Sequence, residues 1–176
     1  PEAERVPEPV AAAMTAADHG VAEGGHSAIY DLGGGTFDTT VVRSTGQGFV
    51  VAGHPIGDRQ IGGELFDEAL MNHVGSRLDP EMWEKLQVSD ERSWHQASTR
   101  LLTECRRVKE TLSTHSYGEI VVGTPSGMIE ERVTRDELEA IVAPYLEASI
   151  DLLERCVDDV EIDPTALTGI HMVGGA

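Results

Sequence analysis

The sequence has little cysteine and no long apolar run, and both absences exclude classes of protein. Only Cys105 and Cys156 occur among its 176 residues, without a Cys-x-x-Cys motif, so neither a zinc site nor a thioredoxin-type redox site is indicated. We expect both thiols to be reduced and buried in a cytoplasmic protein. No apolar run approaches the roughly 18 residues of a membrane-spanning helix, and the first residues lack a signal-peptide pattern, so no membrane segment is expected.

Basic residues are also scarce. The chain carries 31 acidic and 13 basic side chains, which gives a formal net charge of −18. Nucleic acids and anionic membranes are bound by clustered Lys and Arg, so we expect neither as the main partner. A polyanion can still be bound locally where backbone N–H groups and Mg²⁺ carry the interaction.

The length of 176 residues predicts one domain, or one domain that carries a subdomain. A chain of this length buries roughly 70% of its unfolded surface, so it needs no disulfide or metal to fold. It has no initiator Met, and it stops at Ala176 directly after an apolar strand pattern. We therefore expect a piece of a longer protein.

Stretches rich in β-branched and apolar residues predict the strands of the domain. Three of them form a meander over 27–32, 37–42 and 49–53, and a further strand covers 170–173. Between them, 117–122 and 128–133 predict a hairpin, because a Pro-Ser-Gly turn separates two β-rich stretches.

Apolar residues at helical spacing predict helices over 64–78 and 94–112, and a shorter helix covers 9–14. Thr134 and Glu137 form a capping box at the start of another helix. In that helix Pro144 predicts an irregularity, and Ile150 is among the residues expected to be buried. The charged stretch 84–91 is interpreted as a solvated segment. The order of elements predicts a layered α/β domain.

The sharpest feature is the segment from Asp31 to Asp38, DLGGGTFD, between the first two predicted strands. Its three glycines permit positive φ and leave space for a ligand to approach the backbone. Their N–H groups can hold phosphate oxygens, and the Thr36 hydroxyl is a further donor. The two aspartates would repel phosphate, so Mg²⁺ bound through its waters is the natural mediator. Spacing alone favours a plain hairpin turn with two solvated aspartates.

The segment nevertheless resembles the phosphate-binding hairpin of the DnaK-type heat-shock chaperones, within the actin, hexokinase and heat-shock ATPase superfamily. Other stretches are similar to motifs of that family and keep their order along the chain. They are 8–13 (EPVAAA), 57–67 (GDRQIGGELFD), 105–113 (CRRVKETLS), 133–135 (VTR) and 173–175 (VGG). The chain is thereby identified as a divergent member and as the second lobe of the family's nucleotide-binding domain.

The resemblance implies an α/β fold of the ribonuclease-H-like, actin-like ATPase type with an inserted α+β subdomain. The base of the lobe would be 1–61 with 143–176, and the inserted upper subdomain would be 62–142. The first lobe, with its own phosphate hairpin, would precede Pro1. The implied partners are a nucleotide, that first lobe, and a co-chaperone or exchange factor at the inserted subdomain.

The resemblance also implies roles for single residues toward ATP or ADP and Mg²⁺. Asp31 and Asp38 would hold Mg²⁺ through water and would form the catalytic set with Glu8, which lies near the attacking water in the family. The nucleotide contacts would be Gly33, Gly34, Gly35 and Thr36 at the β- and γ-phosphates, Gly62, Gly63 and Glu64 beside the cleft, Lys109 and Ser113 at the adenosine, and Gly174 and Gly175 at the ribose and α-phosphate. A solvated Glu8 and a simple helix start at Gly62 are the alternatives.

Four positions depart from the family pattern. Arg106 replaces a ribose-contacting glutamate, Glu110 occupies the adenine-stacking position, Leu65 replaces an acidic residue, and Ala176 replaces a hydroxyl residue. The phosphate end therefore matches the family, whereas the adenosine end has diverged. Three functions are alternatives: an ATP-hydrolysing chaperone lobe, a pseudo-ATPase interaction module, and a small-molecule kinase or actin-like protein. The isolated chain is expected to hydrolyse ATP poorly.

Overall fold

The structure is a computed structural model that describes Val10, Ala11, Met14, 22–45 and 47–176. The chain divides into two compact units, Pro1–Gly63 with Tyr145–Ala176, and Glu64–Pro144. The assignment of a ribonuclease-H-like base and an inserted subdomain stays a prediction. No helix in the described part of the chain is long and apolar enough to cross a membrane.

The predicted elements occur in their predicted order, and one further helix, Pro80–Val88, lies among them. They are β1 (His26–Leu32), β2 (Phe37–Ser44), β3 (Phe49–Asp58), α1 (Gly63–Gly75), α2 (Pro80–Val88), α3 (Arg92–Leu112), β4 (Tyr117–Thr124), β5 (Gly127–Thr134), α4 (Arg135–Asp158) and β6 (Leu167–Gly174). A short 3-10 turn, Pro164–Ala166, precedes β6. The described residues of the predicted N-terminal helix, Val10, Ala11 and Met14, are helical.

The first unit is built on a mixed four-stranded sheet with the strand order β3-β2-β1-β6. β1 and β2 are antiparallel, as are β2 and β3, whereas β6 is parallel to β1. The predicted meander is confirmed, and β3 and β6 are longer than predicted. Two parallel strands require a long connection, and the chain between β1 and β6 contains helices α1 to α4 and strands β2 to β5.

One face of this sheet packs against the C-terminal part of α4. Phe37 and Val41 of β2 are buried in one cluster with Leu153 and Cys156 of α4. Burial of such large apolar side chains stabilises the fold by about 1.5–3 kcal/mol each. This core fixes β1 and β2, and therefore also the turn that joins them.

β3 carries a bulge in which the three residues 53–55 lie opposite the single residue Thr40. Gly53 adopts a φ of +70°, a conformation that favours glycine. The backbone N–H and ring Nδ1 of His54 lie 2.8 and 2.9 Å from Oδ2 of Asp159. These hydrogen bonds lower the pKa of the Asp159 carboxyl. The bulge is therefore anchored to the residue that follows α4.

The second unit packs α3 against the β4-β5 hairpin. The apolar residues of α3 recur at helical spacing and are buried, as predicted, and the inward face of the hairpin is buried with them. The α3 set is Trp94, Ala97, Leu101, Cys105, Val108 and Leu112, and the hairpin set is Ile120, Val122, Ile129 and Val133. The inward side chains of each strand alternate with exposed ones, as expected for a hairpin covered on one side.

Both cysteines are free and buried, as expected. Burial raises the pKa of the Cys105 thiol to about 12, and it also raises the pKa of Cys156. Because the thiolate is the reactive form, both residues act as small apolar core residues.

Helix α2 is not among the predicted elements, and the solvated segment assigned to 84–91 is partly helical. Asp79 caps α2 by accepting hydrogen bonds from the N–H groups of Glu81 and Met82, and Pro80 occupies its first turn. An Asp-Pro pair of this kind is a helix-start signal that the sequence contains. Trp83 of α2 packs against the core of the second unit.

Helix α4 runs without a break through Pro144. The missing N–H of this residue removes one backbone hydrogen bond, but the helix continues on both sides, so the predicted irregularity is not a helix end. The buried face near the C-terminus contains Ser149, Leu153 and Cys156, at spacings of four and three residues. Ile150 lies beside this face and is 48% exposed, so the expectation that it is buried was wrong.

The capping box at the start of α4 is confirmed. The Thr134 N–H and hydroxyl donate to Glu137 Oε2 over 2.7 and 2.9 Å, and Glu137 N–H donates to the Thr134 hydroxyl oxygen over 3.3 Å. Arg77 donates to the other oxygen of Glu137. The hydrogen bonds from Thr134 and then from Arg77 lower the pKa of Glu137 to about 2.

Replacing Glu137 with alanine is expected to lower the free energy of unfolding by about 1 kcal/mol at neutral pH, the usual cost of a lost helix cap. Because the folded-state pKa is depressed, the ionic part of this stabilisation is present above the ordinary value of 4.5 and is lost as the pH falls toward 2. Chemical denaturation at several pH values measures the difference. Glu139→Ala, at an exposed position of α4, is the control. A Glu137→Ala difference that does not shrink at acidic pH would contradict this account.

Candidate functional site

The turn between β1 and β2 is formed by the glycine-rich segment. Leu32 pairs with Phe37, which leaves 33–36 as the turn, and the Gly33 N–H donates to the carbonyl oxygen of Thr36 over 2.8 Å. A Cβ at Gly34 would meet no atom within 4 Å. The tip of the turn is therefore open, and a ligand can approach its backbone N–H groups.

Two aspartates are paired across neighbouring strands at the base of this turn. Asp31 of β1 pairs directly with Asp38 of β2, so both side chains lie on the same face of the sheet. The Thr36 hydroxyl donates to Asp38 Oδ2 over 3.2 Å. Like charges in such a pair destabilise a sheet, and a cation between them would reverse the sign of that effect.

The donor set of this pair fits Mg²⁺. In the part of the chain that the structure describes, no cluster of three or more His, Cys, Asp or Glu side chains could hold a metal ion. Carboxylate oxygens are nevertheless the ligands that Mg²⁺ prefers, and this ion commonly keeps several waters and is held by one or two carboxylates and substrate phosphates. Asp31 and Asp38 have the donor chemistry of such a partial site.

Gly62 and the first residue of α1, Gly63, lie directly against the turn. The Gly63 N–H donates to the carbonyl oxygen of Gly33 over 3.0 Å, and a Cβ at Gly62 would lie 2.7–2.9 Å from backbone atoms of Gly35. Only glycine fits at position 62 without a backbone shift. The two predicted glycine segments of the first unit are thus in contact.

The end of β6 completes the base of the turn. Gly174 has a φ of +97°, and a Cβ there would overlap the Leu32 carbonyl oxygen and lie 2.9 Å from Asp31 Oδ1. The Ala176 N–H donates to the same Leu32 oxygen over 3.3 Å. A Cβ at Gly175 would meet no atom within 4 Å, so this residue leaves open space.

The predicted site residues fall into three groups. The first unit brings together Asp31, 33–36, Asp38, Gly62, Gly63 and Gly174, with Gly175 beside them. Glu64, Lys109 and Ser113 belong to the second unit. Glu8 lies outside the described residues, and its role stays a prediction.

In the second unit, Lys109 and Arg106 of α3 share one carboxylate of α1. Asp67 is only 1% exposed, and its two oxygens lie 2.7 Å from Arg106 Nε and 2.9 Å from Lys109 Nζ. The pKa of Arg106 is raised, mainly by its hydrogen bond to Asp67. Ser113 is exposed at the C-terminal end of α3, where its N–H donates to the Glu110 carbonyl oxygen over 3.2 Å.

Sequence reasoning assigned no role to Asp67. Two signals were available in the sequence. Asp67 lies in the same GGELFD motif as Glu64, three positions after it, and the cationic residues Arg106 and Lys109 are spaced to lie on one face of α3. The structure shows that Arg106 is an ion-pair partner, and it shows that Lys109 is oriented by a buried carboxylate.

The mixed α/β architecture and the glycine turn flanked by carboxylates are those of a nucleotide-binding domain with the actin-like ATPase fold. The sequence model of the Hsp70 protein family matches residues 3–176. The chain therefore belongs to the Hsp70 family.

Individual relatives agree with this assignment. The chain is 32% identical over 171 residues to a protein named "Chaperone protein HscA homolog" of Burkholderia orbicola (strain MC0-3), a match that covers 96% of this chain and 26% of the relative. It is 32% identical over 172 residues to "Heat shock 70 kDa protein 2" of Paracoccidioides lutzii, with 96% and 25% covered. The chain thus spans about a quarter of the length of these relatives.

Proposed function

We propose that the β1–β2 turn binds the phosphates of Mg-ATP in an Hsp70-family chaperone. The observation that carries this proposal is the direct pairing of Asp31 with Asp38 at the base of an open three-glycine turn. The backbone N–H groups of 34–36 would donate to the β- and γ-phosphates, and the Thr36 hydroxyl would exchange its hydrogen bond to Asp38 for one to a phosphate oxygen. Gly33, whose N–H closes the turn, would lie against the phosphates without a side chain. The two carboxylates would hold Mg²⁺ through its waters.

We further propose that the chain contributes to ATP hydrolysis in the full-length protein. Bound Mg²⁺ would neutralise charge on the phosphate oxygens. Glu8 would orient the attacking water, and the backbone dipoles of the turn are suited to stabilise charge that develops on the transferred phosphoryl group. Gly62 and Gly63 would hold the turn in place by the contacts described above.

We also propose adenosine contacts for two residues of α3, as the family resemblance implies. Lys109, which is oriented by Asp67, and the exposed Ser113 of α3 would contact the adenosine. Glu64, in the first turn of α1, would lie beside the cleft with Gly62 and Gly63. Gly174 and Gly175 in the first unit would approach the ribose and α-phosphate. The partners that we propose are the nucleotide, the first lobe of the same domain, and a co-chaperone or exchange factor at the second unit, all in the cytoplasm.

Mg²⁺-dependent ATP turnover by the full-length protein tests this function. Asp31→Asn is expected to reduce turnover about 10- to 100-fold. This is the usual effect of removing a residue that does not contact the metal directly but hydrogen-bonds to one of its ligands, here a water. Glu8→Ala should also reduce turnover, because the attacking water would lose its orientation.

Glu139→Ala, on the exposed face of α4, is the control and should turn over ATP like the wild type. Unchanged turnover in Asp31→Asn would contradict the placement of the chemistry at this turn. A wild-type protein that binds nucleotide without any turnover would contradict the hydrolytic role and would identify a pseudo-ATPase.

A further inference from the structure

A row of residues crosses the sheet of the first unit at the level of the two carboxylates. Asp38 on β2 pairs with Asp31 on one side and with Gly57 of β3 on the other, and Asp31 pairs with Val173 of β6. Residues directly opposite each other in neighbouring strands project their side chains from the same face. A side chain at position 57 would therefore adjoin the Asp38 carboxylate, and this position is a glycine.

The Asp38 carboxylate occupies the space that a side chain at position 57 would need. A Cβ at Gly57 would lie 2.5 Å from Asp38 Oδ1, 3.2 Å from Asp38 Cγ and 2.7 Å from the Phe37 carbonyl oxygen. These separations are too short for non-bonded atoms. Gly57 is not among the described glycines with positive φ, so backbone freedom does not account for glycine here. The close approach of the Asp38 carboxylate and of the Phe37 carbonyl oxygen accounts for it.

The two oxygens of Asp38 consequently have different surroundings. Oδ2 accepts the hydrogen bond from the Thr36 hydroxyl over 3.2 Å, whereas Oδ1 lies over Gly57 on the β3 side of the strand. That side faces away from Asp31, which pairs with Asp38 from β1. Repulsion between like charges falls with distance, so a carboxylate that lies toward β3 is repelled less by Asp31.

We propose that Gly57 is a positioning residue for Asp38: its missing side chain lets the carboxylate lie over β3 in the geometry that receives hydrated Mg²⁺. This inference rests on the proposed Mg-ATP function. It assigns to the GDRQIGGELFD segment a second task besides the contact of Gly62 with the turn. Any side chain at position 57 would push the carboxylate toward Asp31 or out of the row.

The test is the Mg²⁺ dependence of ADP affinity, measured by calorimetry on the full-length protein with Gly57→Ala. We expect the half-saturating Mg²⁺ concentration to rise about tenfold, the lower end of the range for a displaced outer-shell group. ADP affinity without Mg²⁺ should change much less. Gly169→Ala is the matched control, because it lies in the same sheet and a Cβ there would meet no atom within 4 Å. Equal Mg²⁺ dependence in Gly57→Ala and the wild type would overturn the proposal.

Asp38→Ala and the double variant separate positioning from a general distortion of the sheet. If Gly57 acts through the carboxylate, Gly57→Ala should have no further effect on the Mg²⁺ dependence once Asp38 is alanine. Additive effects would overturn the proposal and would indicate the contact with the Phe37 carbonyl oxygen. Should Gly57→Ala fail to fold, folding of the double variant supports the proposal, and failure of both overturns it. An Asp38→Ala protein with unchanged Mg²⁺ dependence would contradict the proposed function itself.

Discussion

Replacing Asp67 with alanine is expected to lower the free energy of unfolding of the second unit by about 3–5 kcal/mol, the usual cost of removing one partner from a buried ion pair. The Asp67 carboxylate is 1% exposed and lies between two cations of α3. The Lys109 side chain is itself only 13% exposed, and its ammonium would lose the carboxylate at 2.9 Å. Denaturation followed by tryptophan fluorescence measures the effect, because Trp83 and Trp94 are the two tryptophans of the chain and both lie in this unit.

Glu104→Ala is the matched control for this experiment. Glu104 also pairs with a cation of α3, Arg107, over 2.8 Å, but both side chains are substantially exposed. Solvent screens such pairs, so the loss should stay below about 1 kcal/mol. A similar decrease in the free energy of unfolding in the two variants would show that the burial of Asp67 does not determine its contribution to stability.

The second large effect is expected for Gly174→Ala. A φ of +97° is strained for any residue with a side chain, at a cost of about 1–3 kcal/mol. The new Cβ would also overlap the Leu32 carbonyl oxygen and press on Asp31 Oδ1. We therefore expect both a lower unfolding temperature and about tenfold weaker Mg²⁺-dependent ADP binding, since a displaced outer-shell carboxylate weakens a metal site by that order.

Calorimetric unfolding and ADP titration with and without Mg²⁺ measure the two consequences in the full-length protein. Gly169→Ala, five residues earlier on β6, adds a methyl group to open space and should leave both quantities near the wild-type values. A Gly174→Ala protein that matches the control in stability and in Mg²⁺ dependence would contradict the close packing of β6 against the turn.

The elements that the sequence predicted are those with local signals. The meander is encoded by β-branched stretches on either side of glycine turns, and the capping box by Thr134 and Glu137, three residues apart. Helix α2 has a signal of the same kind in Asp79 and Pro80, but the charged residues after it favoured a solvated segment. Local patterns thus defined most of the fold.

The features that the sequence did not predict depend on contacts between distant segments. Asp67 and Arg106 are 39 positions apart, so nothing local shows that the substituted arginine has a buried acidic partner. The spacing of Asp31 and Asp38 was compatible with a plain turn, and only the strand register places their side chains opposite each other. The close approach of Gly57 to Asp38 likewise requires the pairing of β2 with β3.

The bulge in β3 also has a consequence for association between molecules. β3 lies at one edge of the described sheet, and residues 53–55 divide it into two short runs. Pro55 has no N–H to donate, and the N–H of His54 is already bonded to Asp159. A strand from another molecule would find no continuous row of backbone donors and acceptors along this edge. Interrupted edges of this kind protect β-sheets from edge-to-edge aggregation.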